Sequence, residues 1–238
     1  MRPTLSVIIP TLNEAHNLPR TLGPLLRDRQ CEVVVSDGGS SDDTVEFART
    51  CGCRTVAGPR GRGLQLNRGV KVSRGELLLF LHGDTVVPDN FTEMVARTLA
   101  MPGVAAGAFS LGFDSRRWGL ALIGWGANLR SRIFSLPYGD QGLFTSRPNF
   151  LAVGGFDEME IMEDFVFIKK MRRCGRIITL REQVITSARR WENMGVLKTT
   201  LINQSIIIGY RLGVAPATLA GWYQRARGID RRGDRIIS

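Results

Sequence analysis

The chain has 238 residues, of which 43% are hydrophobic and 23% charged, an ordinary composition for a globular protein with one main domain. No uncharged apolar stretch reaches about 18 residues, so we expect no membrane span. The net charge of +10 fits three kinds of partner: nucleic acid, an anionic membrane surface or a phosphorylated substrate.

The cysteines, at positions 31, 51, 53 and 174, form neither a zinc-binding pattern nor a disulfide framework. We therefore expect reduced thiols in a cytoplasmic protein. The first strand starts a few residues into the chain, which predicts no signal peptide. Attachment to the inner face of a membrane stays open as an alternative.

Apolar runs and turns predict strands alternating with helices in the first half. Strands are predicted at residues 5–10, 31–36, 54–57, 77–81 and 104–111, with a helix in each interval, one of them from Pro88 to Leu99. This order indicates a three-layer α/β/α sandwich with a mostly parallel central sheet, to which the C-terminal helices are appended.

The buried strand 77–81 ends in His82, Gly83 and Asp84. Open α/β sheets bind ligands at the carboxyl ends of their strands, so Asp84 is a candidate metal-binding or catalytic group. The alternative is an Asp that caps a turn or the next helix.

Strand 31–36 follows the same plan and ends in Asp37, which either accepts two donors from a ligand or stabilises the turn. Asn13 is the predicted cap of the first helix, and either Ser40 or Ser41 is the predicted cap of the second. The glycine-rich loop at 58–69 places Arg60 and Arg62 where a diphosphate could bind, although it is not a Walker loop.

The second half has less regular spacing. Helices are predicted at 116–134, 162–174, 196–212 and 216–225, and short strands at 142–146, 177–180 and 184–186, before a basic tail. Trp118, Leu122, Trp125 and Leu129 share one helical face. That face either packs in the core, against a subdomain or in a homodimer, or presents the active site to a lipid-linked acceptor at a membrane.

Four motifs together resemble the family 2 glycosyltransferases of GT-A fold: residues 7–14 (VIIPTLNE), residues 35–44 (VSDGGSSDDT), a strand that ends near Asp84, and the pair Glu163 and Asp164. The resemblance covers roughly residues 4–200. The element 61–67, the loop 138–142 and the segment 187–191 are similar to a bacterial subgroup labelled arsenosugar-biosynthesis-type glycosyltransferases.

The resemblance implies a role for each matching residue. Asp164 would be the general base, with Glu163 beside it, and Asp84 would reach a Mg2+ or Mn2+ ion on the diphosphate. His82 stands where the family has the first Asp of Asp-x-Asp. Residues assigned to the nucleotide are Pro10, Thr11, Asn13, Glu14, Asp37, Arg62, Gln65, Asn67, His82, Gly83 and Asp84. Those assigned to the diphosphate or acceptor are Asp140, Gln141, Arg189, Arg190 and Trp191.

The resemblance also implies the organisation and the reaction. Residues 1–190 would form the GT-A domain, with a nucleotide-sugar half at 1–111 and an acceptor half at 112–190, and residues 191–238 would add helices and the tail. The predicted enzyme is an inverting, metal-dependent transferase that moves a sugar, in this family commonly from UDP, to a hydroxyl acceptor.

Two other functions compete with this reading. A nucleotidyltransferase acting on a sugar phosphate shares a related core, but usually carries a G-x-G-[ST]-R-type loop after strand one, where this chain has Pro10 to Glu14. A nucleic-acid-binding protein is suggested by charge alone, without a binding motif, so we expect no nucleic-acid partner.

Overall fold

The computed structural model describes residues 3–226, apart from the side chains of Arg190 and Asn193. The strands are β1 (Leu5–Thr11), β2 (Cys31–Asp37), β3 (Arg54–Ala57), β4 (Leu77–Phe80), β5 (Thr85–Val86), β6 (Val104–Phe113), β7 (Leu143–Ser146) and β8 (Arg176–Thr186). The α-helices are α1 (Leu18–Arg27), α2 (Thr44–Thr50), α3 (Arg62–Val72), α4 (Phe91–Leu99), α5 (Trp118–Phe134), α6 (Arg147–Ala152), α7 (Glu163–Cys174), α8 (Arg189–Met194), α9 (Val196–Arg211) and α10 (Pro216–Ala226).

One sheet runs through the molecule in the order β3-β2-β1-β4-β7-β6-β8-β5. The first four of these strands are parallel, and β6 is parallel to β8. Along β1, Val7 and Ile9 enter the core on one face of the sheet, whereas Ile8 enters the core on the other. This alternation arises because successive strand side chains point to opposite faces. The predicted α/β sandwich, buried on both faces, is confirmed.

The sheet is mostly parallel, as predicted, but its second half contains an antiparallel strand whose position was not predicted. Strand β7 lies between β4 and β6 and is antiparallel to both. Residues 177–180 and 184–186, predicted as separate strands, belong to the single strand β8, whose pairing with β6 shifts register. The short helices α6 and α8 were not predicted, because six residues are too few to show a helical period.

The predicted helix starts also needed correction. Asn13 has a left-handed backbone and caps no helix, since α1 begins five residues later. Asp43 precedes α2, so neither Ser40 nor Ser41 caps it. Residues 89–90 form a turn before α4, which begins at Phe91, and Pro88 therefore does not open that helix.

The prediction that the apolar face of α5 packs in the core was wrong for this chain. Trp118 is 82% exposed and Trp125 61% exposed. The buried face of α5 instead carries Leu120, Gly124, Asn128 and Ser131. The Asn128 side chain holds β6 by accepting from Leu111 N at 2.7 Å and donating to Leu111 O at 3.0 Å.

The C-terminal helices pack on the start of α7. Ile206 of α9 and Leu219 of α10 are buried with Met162 and Phe165. The predicted basic tail beyond residue 226 lies outside the described residues. Within residues 3–226, no helix has the length and hydropathy to cross a bilayer.

Candidate active site

The carboxyl ends of three parallel strands form one edge of the site. Thr11 at the end of β1 pairs with Asp37 at the end of β2, and β4 beside them leads into residues 82–84. Gly83 packs so closely on Glu14 that an added Cβ would lie 3.2 Å from the Glu14 Cγ atom. The first-half residues predicted to bind nucleotide therefore gather where the fold class predicts a ligand.

Asp37 is buried and already bound at both carboxylate oxygens. Its Oδ2 accepts from the backbone N–H groups of Gly39 (2.7 Å) and Ser40 (2.8 Å). Its Oδ1 accepts from the hydroxyls of Ser40 and, at 3.2 Å, Thr11. The structure thus shows the turn-stabilising role of Asp37. Contact with a base, which would have to displace one of these donors, stays a prediction.

Asn13 braces the same turn from the β1 side. Its side-chain oxygen accepts from Ser41 N and its backbone N–H donates to Ser40 Oγ, both at 2.9 Å. The Asp42 carboxylate accepts from Ala15 N at 3.1 Å. These crossed bonds fix the loop after β1 against the loop after β2, which preorganises the edge of the site.

Two predicted nucleotide residues, Gln65 and Asn67, brace helix α3. The buried Gln65 amide donates to the carbonyls of Thr11 and Ser36, both at 2.8 Å. The Asn67 amide donates to Phe156 O at 2.8 Å and accepts from Phe156 N at 3.0 Å. The structure gives both side chains a loop-holding role that the sequence analysis did not predict, because such bonds depend on long-range packing.

The carboxylate predicted as the base, Asp164, lies at a narrow cavity between the two halves. Pro10, Arg62, Phe80, His82, Gly139, Phe156, Glu163 and Asp164 line this cavity, with apolar residues at its back. Asp164 Oδ2 accepts from Gly139 N and its Oδ1 from Phe165 N, both at 2.7 Å. Both oxygens are therefore held in place. A Cβ on Gly139 would lie 3.1 Å from Asp164 Oδ2 and 3.4 Å from His82 Nε2.

Glu163 and Arg62 form an ion pair beside Asp164. Glu163 Oε1 is buried, lacks a hydrogen bond among the described residues, and lies 3.5 Å from Arg62 Nη1. Burial raises the pKa of Glu163, although the Arg62 charge acts in the opposite direction. Burial also opposes the charge of Arg62, but the Glu163, Asp164 and Asp84 carboxylates raise its pKa. Arg62 therefore stands in the field of three site carboxylates.

Asp84 and Glu14 form the acidic side of the site. Burial raises the pKa of Glu14, and the nearby charge of Asp84 adds to this rise. Asp84 Oδ1 accepts long hydrogen bonds from Thr85 (3.3 Å) and Thr186 (3.4 Å). Such oxygens suit Mg2+ or Mn2+. Among residues 3–226 no three His, Cys, Asp or Glu side chains cluster to hold an ion. A metal at Asp84 would therefore need further ligands from a bound diphosphate or from water.

The loop 138–142 is stabilised from α5. The fully buried Gln141 amide donates to Phe109 O (3.1 Å) and Ser131 Oγ (3.2 Å), and its oxygen accepts from Arg130 (3.3 Å). Gln141 therefore holds the loop and does not face a ligand. Arg130 also stacks 3.5 Å from the centre of the Tyr138 ring. Burial raises the pKa of Tyr138, and the nearby charges of Asp164 and Asp140 contribute, which places Asp140 beside the site.

The residues of the segment 189–191 have different surroundings. Arg189 is exposed, and its charge partly offsets the raised pKa of Glu14, so it lies near the acidic side. Trp191 is 5% exposed and packs with Phe113, Leu120 and Ala188. The prediction that Trp191 forms a ligand-binding wall is therefore corrected to a packing role. The Arg190 side chain lies outside the described residues.

One side chain near the cavity was missed by the sequence analysis. The ring hydroxyl of Tyr223, on α10, acts electrostatically on Arg62. Its helix reaches this place because Leu219 packs with Phe165 and Ile206. No sequence signal could have indicated this contact, since 161 positions separate the two residues.

Comparisons with known proteins agree with this geometry. The family model of glycosyl transferase family 2 matches residues 6–148. A PGL/p-HBAD biosynthesis glycosyltransferase of Mycobacterium bovis (strain BCG / Pasteur 1173P2) is 27% identical over 232 residues, which cover 89% of this chain and 87% of the relative.

Solved glycosyltransferase structures show a similar fold, which is GT-A-like. The mannosyltransferase PcManGT from Pyrobaculum calidifontis, in complex with GDP-Man and Mn2+, has a TM-score of 0.62 at 21% identity over 96% of this chain and 70% of its own. S. aureus TarS 1-349 with UDP has a TM-score of 0.58 at 21% identity over 84% of this chain and 66% of its own. This chain spans 38% of a longer TarS chain.

Proposed function

Because the chain belongs to glycosyl transferase family 2 and is a glycosyltransferase, we propose that it moves a sugar from a nucleoside diphosphate sugar to a hydroxyl acceptor, with inversion. The observation that supports this most is the Asp164 carboxylate, fixed by two backbone donors at a cavity that both halves of the molecule line. The resemblance to the arsenosugar-biosynthesis-type subgroup assigns neither a sugar nor an acceptor.

In the proposed reaction, the acceptor oxygen attacks the anomeric carbon while the bond from that carbon to the diphosphate breaks. The electron pair of that bond leaves with the diphosphate, and the acceptor's proton goes to Asp164. One carboxylate base and no covalent nucleophile give inversion in a single displacement. The N–H groups of Gly139 and Phe165 keep the base oriented throughout.

The donor would lie along the edge formed by β1, β2 and β4. Arg62, with its raised pKa, is placed to offset the charge of the leaving diphosphate. Asp84 would hold Mg2+ or Mn2+ together with the diphosphate oxygens, and that cation would stabilise the leaving group's charge. UDP is the nucleotide that the family resemblance favours. Two structural relatives of this chain are in complex with UDP and with GDP-Man.

Nucleotidyl transfer is not favoured as an alternative. The loop after β1 holds Asn13 and Glu14 in a backbone network with residues 40–44, and the family match is to glycosyl transfer. The acceptor is a hydroxyl compound, either soluble or lipid-linked. We keep cytoplasmic placement and a homodimer as predictions.

The test is the release of nucleoside diphosphate from a panel of UDP- and GDP-sugars, with and without Mn2+. We expect one donor to be hydrolysed slowly in the metal's presence, with Asp164→Asn inactive on the same donor. Release from GDP-sugars alone would correct the nucleotide assignment. Pyrophosphate release from a nucleoside triphosphate and a sugar phosphate, without donor hydrolysis, would contradict the proposal.

A further inference from the structure

Helix α5 has its amphipathic pattern turned outward. Its exposed face carries Trp118, Leu122, Trp125, Leu129 and Ile133, which lie three or four positions apart. Its buried face carries one large apolar residue, Leu120, followed by the small or polar residues Gly124, Asn128 and Ser131. Because this helix buries Asn128 and exposes two tryptophans, we expect its outer face to contact an apolar partner that is not among the described residues.

Helix α9 repeats the pattern. Leu197 (73% exposed), Leu201, Ile208 and Leu212 (78% exposed) form an outward stripe at helical spacing. Helices α5 and α9 lie close together at their starts, and the segment after α5 packs against the cluster that contains part of α9. A Cβ on Gly119 would lie 3.6 Å from Val196 Cγ1, and Leu136, just after α5, packs in one cluster with Ile206 of α9.

Positive charges predominate around both stripes. Residues 115–139 contain four arginines and no Asp or Glu, and residues 193–226 contain Lys198, Arg211 and Arg225, again with no Asp or Glu. One anion, Glu192, lies near the start of α5, 3.9 Å from Arg117. Large apolar side chains bordered mainly by cations are typical of helices that lie in the interface of an anionic bilayer. A symmetric dimer through this face would instead bring two cationic surfaces together.

We propose that the outer faces of α5 and α9 dock the protein on an anionic lipid bilayer. The helices lie along the surface, with Trp118 and Trp125 at the headgroup level and the exposed cations Arg116 and Lys198 on the phosphates. The cluster that joins α9 to Phe165 and Tyr138 then places the catalytic loop beside this surface. The proposal goes beyond the proposed function and does not depend on the donor.

The test is cosedimentation of the full chain with vesicles of phosphatidylcholine alone or mixed equally with phosphatidylglycerol, without nucleotide. We expect binding to the anionic vesicles, weakened roughly tenfold or more by Trp118→Gln with Trp125→Gln. Arg116→Gln with Lys198→Gln should weaken binding about fivefold for each charge. Leu151→Gln, at an exposed apolar position on α6, and Arg27→Gln on α1 are the matched controls.

Each other outcome overturns the proposal. Wild-type protein that stays in solution at low salt refutes docking, and equal binding to both vesicle types refutes the choice of anionic lipid. If the double tryptophan variant binds as well as wild type, the apolar face of α5 does not make the contact, and cations elsewhere, such as those of the unchanged tail, account for the binding. A lipid-free dimer that the same substitutions dissociate identifies a second copy as the occupant. A loss of enzyme activity in any variant would not change the interpretation of these vesicle-binding measurements.

Discussion

At the carboxyl ends of β1, β2 and β4, buried polar side chains hold the loops in place, whereas on α5 and α9 large apolar side chains face outward. In the first region Asp37, Asn13 and Gln65 bind backbone groups of neighbouring loops. In the second, Trp118 and Leu212 have more than three quarters of their area exposed. The difference teaches that the side chains of the first region find their partners within the chain, whereas the apolar side chains of the second are placed to contact a partner outside it.

The largest expected effect is a loss of catalysis without a loss of nucleotide binding, and it is expected at Asp164. Asp164→Asn removes the proposed base, so we expect transfer or donor hydrolysis to fall by about a hundredfold or more, with nucleotide affinity nearly unchanged. Asp157→Asn is the control, since this carboxylate lies in the segment before α7 and pairs with Lys170. Equal losses in both variants would argue for a folding defect.

At the carboxyl ends of β1, β2 and β4, the braced region, the loss of a single buried polar side chain should lower the free energy of unfolding. Gln65→Met keeps the side-chain volume but removes the amide that donates to the carbonyls of Thr11 and Ser36. We expect the free energy of unfolding to fall by about 1–3 kcal/mol, measured by urea denaturation. Gln204→Met, at an exposed position on α9, should change it by less than about 0.5 kcal/mol. Similar values for the two would remove the contrast.

The ion pair between Arg62 and Glu163 should show a pH-dependent effect. Without Arg62, the buried Glu163 must either be charged without its cation or bind a proton, which costs more as pH rises. Arg62→Met should therefore lower stability by about 1–2 kcal/mol at pH 8, a modest value because Arg62 is half exposed, and by less at pH 5. Adding Glu163→Gln should restore most of the loss, and a double variant as unstable as the single one would contradict this account.

A smaller pH effect is expected at Glu14. Its raised pKa means that the folded state binds the proton more tightly than the unfolded state, so its contribution to stability falls as pH rises through the folded-state pKa. Glu14→Gln should therefore be more stable than wild type at pH 7, with the difference vanishing near pH 4. Exposed Glu93→Gln is the control, and thermal unfolding at both pH values measures the effect. A constant difference would show that the charge is not the cause.

The smallest effect belongs to the exposed region. Trp125→Gln should leave the free energy of unfolding within about 0.5 kcal/mol of wild type, because the indole ring contributes little to the core. A loss above about 2 kcal/mol in lipid-free protein would place Trp125 in a contact within the chain or with a second copy.

The sequence was most informative where local pattern and fold agree. The runs that became β1, β2 and β4 are apolar on both faces, and their ends carry the polar residues of the site, as predicted. The position of β7 between β4 and β6 was missed, because strand order depends on long-range pairing. Gln65, Gln141 and Trp191 were assigned to ligands because their motifs resembled a family. Their burial depends on loops that only the fold brings together.

The central claim is that the braced edge binds a nucleoside diphosphate through a metal held at Asp84. Calorimetric titration of wild type and Asp84→Asn with UDP, with and without Mn2+, tests it most directly. We predict binding in the micromolar range that requires the metal in wild type and is lost in Asp84→Asn. Metal-independent binding, or equal binding by the variant, would contradict the role of Asp84, and no binding of UDP or GDP with any metal would contradict the donor site itself.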